Sequence, residues 1–141
     1  MGKILCATRG GEVSYHTQDA AIKLAKQRND ELVFLFIADI GFLDKTERAV
    51  RPDVVKQEMK YMGEFLLSMA QERARAQGVQ AQVLIRYGKV RQQLIAAVQR
   101  EVADMLILGR PAEKDSAFPL ATLERLATEI ENVTEARVVI V

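Results

Sequence analysis

The sequence has one cysteine, one histidine, three prolines and no tryptophan among its 141 residues. A lone cysteine excludes an internal disulfide, so the core alone must hold the fold. With His16 as the sole histidine and no cysteine cluster, a His-rich or Cys-rich metal site is excluded. An excess of one charge is also missing: 20 Lys+Arg against 19 Asp+Glu leave a net +1. That balance argues against a dedicated nucleic-acid binder, though not against a local basic patch. The longest apolar run, Leu32 to Ala38, has seven residues, against the ~20 needed to span a bilayer. Met1 to Thr8 runs straight into a strand-like segment, without the charged region, apolar core and cleavage site of a signal peptide. Gly2 does not open a myristoylation motif, because Cys6 stands where Ser or Thr is required. A cytoplasmic protein without membrane contact is expected. What is present is a globular balance, 49% hydrophobic and 28% charged, in a length suited to one domain over residues 1–141.

Apolar runs alternate with helical patterns. Ile4 to Ala7 is a short strand ended by Arg9-Gly10-Gly11. Thr17 to Arg28 puts Ala20, Ala21, Leu24 and Ala25 on one helical face, with Lys23, Lys26 and Arg28 toward the end that favours cations. Asn29-Asp30 is a turn, and Leu32 to Ala38 is apolar on both faces, as a buried parallel strand is. Gly41 to Pro52 reads as an irregular insertion, with Pro52 suited to the first turn of the next helix. From Val55 to Ala76, the residues Val55, Met59, Met62, Leu66 and Met69 step by four and three, which predicts a core-facing stripe. Gly78 is suited to a left-handed cap. Gln80 to Arg86 alternates as a strand. Val90, Leu94, Ile95, Val98 and Val102 mark a third helix. Met105 to Leu108 is a short apolar strand. Leu120 to Ile130 is the last helix and Val138 to Val141 the last strand. The order β-α-β-α-β-α-β-α-β implies a parallel sheet covered on both faces, joined by right-handed crossovers.

In such a sheet, ligands bind beyond the carboxyl ends of the strands, where the strand order reverses. The loops there carry Thr8-Arg9-Gly10-Gly11, Ala38-Asp39, Arg86-Tyr87-Gly88-Lys89 and Gly109-Arg110-Pro111. Arg9, Arg110 and Lys114 fall at or near them, and helix N-termini add attraction for anions. A small anionic ligand is one reading of these cations; ordinary solvated arginines are the other. Enzyme signatures are sparse. There is no Walker loop, and no Gly-x-Gly-x-x-Gly follows the first strand. Ser14, His16 and Asp19 lack the spacing of a catalytic triad. His16 reads as a surface residue at the entry to the first helix, and Cys6 as a small buried hydrophobe. Arg86, Lys89 and Arg91 around Tyr87 read as a solvated turn.

The stretches Ile4-Leu5-Cys6-Ala7-Thr8-Arg9-Gly10 and Ala20-Ala21-Ile22-Lys23-Leu24-Ala25 resemble the first strand and helix of the universal stress protein family. Gly88-Lys89-Val90, then Val102-Ala103-Asp104-Met105-Leu106-Ile107-Leu108-Gly109-Arg110, is similar to the family's most characteristic stretch. Ala136 to Val141 is similar to its closing strand. The resemblance covers essentially the whole chain. It implies a three-layer α/β sandwich with an open five-stranded parallel sheet in the order 3-2-1-4-5, Rossmann-like and of the adenine nucleotide alpha hydrolase type. It also implies a homodimer. An edge strand of apolar Val138, Val139, Ile140 and Val141 is a liability that pairing with a second copy would cover.

Some members of the family bind ATP. In those, the loop after the fourth strand carries Gly-x2-Gly-x9-Gly-Ser/Thr, whose amides and hydroxyl cradle phosphates. Here Gly109 keeps the first place and Ala112 takes the second. Thr122 falls at the third, or, with a shift of one residue, Ala121 takes the glycine place and Thr122 the hydroxyl place. Pro111 and Pro119 remove two N–H donors. Arg9 stands where the family usually has an aspartate for the nucleoside, and a guanidinium cannot accept hydrogen bonds from ribose hydroxyls. Ile37 is near the backbone contact to adenine. The candidate nucleotide residues are therefore Ala7, Thr8, Arg9, Gly10, Ile37, Gly109, Arg110, Ala112, Ala121 and Thr122. The leading expectation is a dimeric stress-response or regulatory module with a degenerate site, no ATP-type binding, no metal and no catalytic residue. The alternative is an ATP- or AMP-binding switch using Arg9, Gly109, Arg110 and Thr122. A nucleotide hydrolase with Asp39 as base is a third reading.

Overall fold

The computed structural model describes residues 2–9, 14–39, 52–111 and 119–141. Of the expected insertion Gly41 to Pro52, residues 41–51 lie outside them, as do Gly10, Ala112 and Lys114, while Pro52 is the first residue of the second helix. The elements are β1 (Lys3–Ala7), α1 (Tyr15–Arg28), β2 (Glu31–Ala38), α2 (Pro52–Ala76), β3 (Ala81–Tyr87), α3 (Val90–Glu101), β4 (Met105–Leu108), α4 (Leu120–Val133) and β5 (Arg137–Ile140). The strands form one five-stranded sheet in the order β3-β2-β1-β4-β5, and every pairing is parallel. This is the expected topology, with β1 at its centre.

Strand alternation sends side chains into two cores. Ile4, Cys6, Phe34, Phe36 and Ile107 pack with α1 and α2. Leu5, Val33, Leu35, Leu106 and Leu108 pack with α3 and α4. Cys6 is fully buried, and burial pushes its thiol up to about 12, so it packs as an inert hydrophobe. The amino end of β1 is held by two carboxylates. Gly2 N–H donates to Asp30 and Lys3 N–H to Asp104. The hydrogen bond from Arg28 and that from Gly2 N–H hold the Asp30 carboxyl below its usual range.

Three helical faces differ from the sequence pattern. On α1 the buried residues are Thr17, Gln18, Ala21, Ile22 and Ala25, with Ala20 and Leu24 at the margin. On α2 the expected core stripe is displaced: Gly63, Leu67, Ala70 and Ala74 face the sheet, and Met59 and Leu66 flank them. Met62 and Met69 are exposed instead of buried. The cause is the small residues. A Cβ on Gly63 would lie 2.8 Å from the Phe36 ring, so the helix rests its smallest face on β2 at a distance no methionine face permits. Gly78, at φ +81°, ends α2: its N–H and that of Val79 bond back to Arg75 and Ala74.

On α3, Val102 does not continue the apolar face. It is the left-handed C-cap at φ 51°, with 79% of its surface exposed. A β-branched residue there is strained by about 1–2 kcal/mol. Val102→Gly removes that strain and little packing, so it is expected to raise stability by about 0.5–1 kcal/mol after the extra unfolded-state entropy of glycine. Urea unfolding of the two proteins checks this.

Candidate functional site

β1 is the shortest route into the site because it stops early. Its last partner on β2 is Leu35, opposite Ala7, while β2 continues to Ala38. Thr8 N–H makes the final rung, to the Leu35 carbonyl at 2.9 Å. The Ala38 carbonyl turns the other way, to Gly88 N–H of the β3 side. Backbone alternation therefore directs the N–H and C=O of Ile37 into the space beyond the end of β1. On the other flank, β4 ends at Leu108 and passes into Gly109 and Arg110. The chain leaves β1 toward β2 on one side and has β4 on the other, so this is the point of reversal in the sheet.

A cavity of about 320 Å³ occupies that crevice. Ala7, Thr8, Arg9, Ile37, Gly109 and Arg110 all line it, so most of the expected site comes together. Ala121 and Thr122 are not among its lining residues. α4 starts at Leu120 and turns Leu123 and Leu126 toward the cavity. Glycine-spacing arithmetic along the sequence does not reveal this rotation. Asp39 is exposed at the end of β2 and does not line the cavity either.

Chemically the cavity has two halves. Leu35, Val90, Leu94, Leu108, Leu123 and Leu126 form an aliphatic wall. The opposite side carries the hydroxyls of Thr8, Ser14 and Thr17, with the Arg9 and Arg110 side chains at the exposed rim. No carboxylate lines it among the described residues. Thr8, Ser14, Thr17 and Gln18 are the buried polar residues among those described; the first three line the cavity, and Gln18 stands behind Thr8. Gln18 Nε2 donates to Thr8 Oγ1 at 2.9 Å. Its Oε1 has no hydrogen-bond partner among the described residues. Gly109 packs tightly here: a Cβ would lie 2.6 Å from Thr17 Oγ1, so the Thr17 side chain would have to shift. Sequence reasoning missed Ser14, Thr17 and Gln18. Their signal is positional: at 14, 17, 18, 21 and 25 they continue the buried face of α1 toward its N-terminus.

The basic trio beside Tyr87 lies elsewhere and is largely engaged. Arg86 Nε donates to Gln93 Oε1 at 2.7 Å. Arg91 makes two hydrogen bonds to the Glu129 carboxylate, each group holding the other in its charged form. Lys56 sits 4.8 Å over the Tyr87 ring.

Comparisons with known proteins agree with this geometry. The Universal stress protein family profile matches residues 1–136. Universal stress protein YxiE of Bacillus subtilis (strain 168) is 26% identical over 116 residues, which cover 76% of this chain and 77% of that protein. A crystal structure of a universal stress protein family member from Burkholderia pseudomallei superposes with a TM-score of 0.77 at 20% identity, over 99% of this chain and 95% of that one. A universal stress protein solved in complex with cAMP superposes at 0.72 with 19% identity, over 99% and 96%. The five-stranded order, the crevice at the end of β1 and the profile match together mean that the chain belongs to the universal stress protein family.

Proposed function

We propose that this chain is a dimeric regulatory module of the stress response that works in the cytoplasm, has no catalytic residue and does not hold ATP in its crevice. The observation that carries this reading is how the crevice is lined where phosphates would lie. Gly109 is there, but Ala121 and Thr122 are not among the described residues that line the cavity. Pro111, the next residue but one, offers no N–H. Among the described residues, the cationic donors at the rim are two guanidinium groups, those of Arg9 and Arg110, and wrapping three phosphates requires donors on several sides.

A second reading, a switch driven by an adenosine monophosphate, is favoured by one observation: the outward backbone of Ile37 beside an aliphatic wall. That edge offers one donor and one acceptor to a base. The cavity volume lies at the small end of ligand pockets. A structural relative solved with cAMP lends this reading support. In it, Arg9 and Arg110 carry the single phosphate, and Thr122 has no part.

Homodimerisation belongs to the same proposal. β5 pairs with β4 on one side only. Arg137 donates its N–H to the Asp104 carbonyl just before β4, and Val141 donates to the Leu108 carbonyl of β4. Alternation therefore turns the N–H groups of Val138 and Ile140 to the outer edge. The Glu131 carboxylate accepts the Val138 N–H at 3.1 Å. Val138, Val139, Ile140 and Val141 are each only half-buried. An antiparallel second copy would cover this edge.

Calorimetric titration separates the two nucleotide readings. ATP is expected to give no saturable heat up to about 1 mM, a limit of roughly −4 kcal/mol. If AMP or cAMP binds, Arg110→Ala is expected to weaken it by about tenfold or more, the value of a charge-assisted contact. Saturable micromolar ATP binding would contradict the leading reading. For the dimer, Ile140→Pro removes an outward N–H without touching the β4 ladder. It is expected to turn a dimer into a folded monomer in sedimentation, and an unchanged dimer would exclude pairing through β5.

A further inference from the structure

β5 is an edge of the sheet, and its outward donors are not all left bare. Arg137 N–H and Val141 N–H point inward, so by alternation Val138 and Ile140 turn N–H and C=O outward. The carboxylate of Glu131, in the last turn of α4, accepts the Val138 N–H at 3.1 Å. Just before the strand, Thr134 Oγ1 accepts the Ala136 N–H at 3.2 Å. Among the described residues the Ile140 N–H has no such cap. Glu131 has no other partner among them, since Arg91 pairs with Glu129. A carboxylate also has the wrong sign for a helix C-terminus, where the macrodipole favours cations, and α4 has no basic residue in its last turn. The helix therefore does not account for Glu131. The edge does, because charged side chains beside an edge strand oppose its pairing with other strands.

We propose that Glu131 is a built-in competitor for β5 pairing, a cap that a second copy must displace from Val138 before the edges join. The inference rests on the β5 homodimer proposed above and adds what sets its strength. An antiparallel partner centred on Val138 or on Val139 needs the Val138 N–H, because each outward residue exchanges N–H and C=O bonds with the residue opposite. Two-fold symmetry makes the same demand in each copy. A backbone amide has a single N–H, and the Glu131 oxygen stands where the partner strand's carbonyl oxygen would lie. Cap and partner strand therefore exclude one another at that atom. Glu131 is exposed, so a displaced carboxylate returns to water, and the cap opposes pairing without forbidding it.

Sedimentation of the full chain over concentrations spanning its dissociation constant tests the cap, with circular dichroism to check folding. Glu131→Ala is expected to tighten the dimer by about fivefold or more, the effect of freeing one modest hydrogen-bond donor in each copy. Glu131→Asp keeps the charge but is one methylene shorter and falls short of the N–H, so it is expected to tighten the dimer likewise. Tightening by Glu131→Ala alone would assign the effect to charge and overturn the cap. If both variants associate no more tightly than wild type while Ile140→Pro is monomeric, β5 pairing stands and the role of Glu131 is overturned. If Ile140→Pro leaves the dimer unchanged, or if neither wild type nor Glu131→Ala dimerises, β5 pairing itself fails and the cap falls with it.

Discussion

The single hydrogen bond from Thr8 N–H to the Leu35 carbonyl ends the β1–β2 ladder, and the site exists because the ladder ends there. β2 runs on to Ala38 without a β1 partner, and β4 passes into Gly109 on the other flank. Between them lies a volume bordered by backbone that no strand satisfies. Central placement of β1 makes the position fixed: its neighbours leave in opposite directions, and its side chains are buried in both cores. A register slip of one residue would exchange those cores.

The chemistry of the crevice follows from the elements that meet there. α1 brings hydroxyls and Gln18 where aliphatic packing would have been available, and α4 brings Leu123 and Leu126. A buried amide with one unsatisfied oxygen has a cost of roughly 1–3 kcal/mol. Its bond to Thr8 fixes the residue that also makes the last rung. The rim is cationic where Arg9 and Arg110 stand, while the wall stays aliphatic.

The sheet was legible because its signals are dense. Five apolar runs separated by helical patterns give the order of elements, and seven apolar residues from Leu32 to Ala38 place β2 in the interior. Half of the candidate site was legible for the same reason, since Ala7, Thr8, Arg9, Gly109 and Arg110 sit at strand ends. Helix orientation was not. A stripe of methionines outweighs Gly63 and Ala70 by hydrophobicity, yet close contact with Phe36 favours the small face. Thr122 satisfies a spacing on paper, but the rotation of α4 about its axis turns Leu123 inward. Gln18 escaped notice because polar residues carry no weight in an apolar periodicity. Val102 has helical spacing, but the chain must turn there to reach β4.

The central claim concerns what the segment after β4 can grip, and a crystal grown with ATP and magnesium tests it most directly. The account predicts no ordered triphosphate bound by the amides between residues 109 and 122. Three phosphates in continuous density, held by those amides beside Gly109, would contradict it.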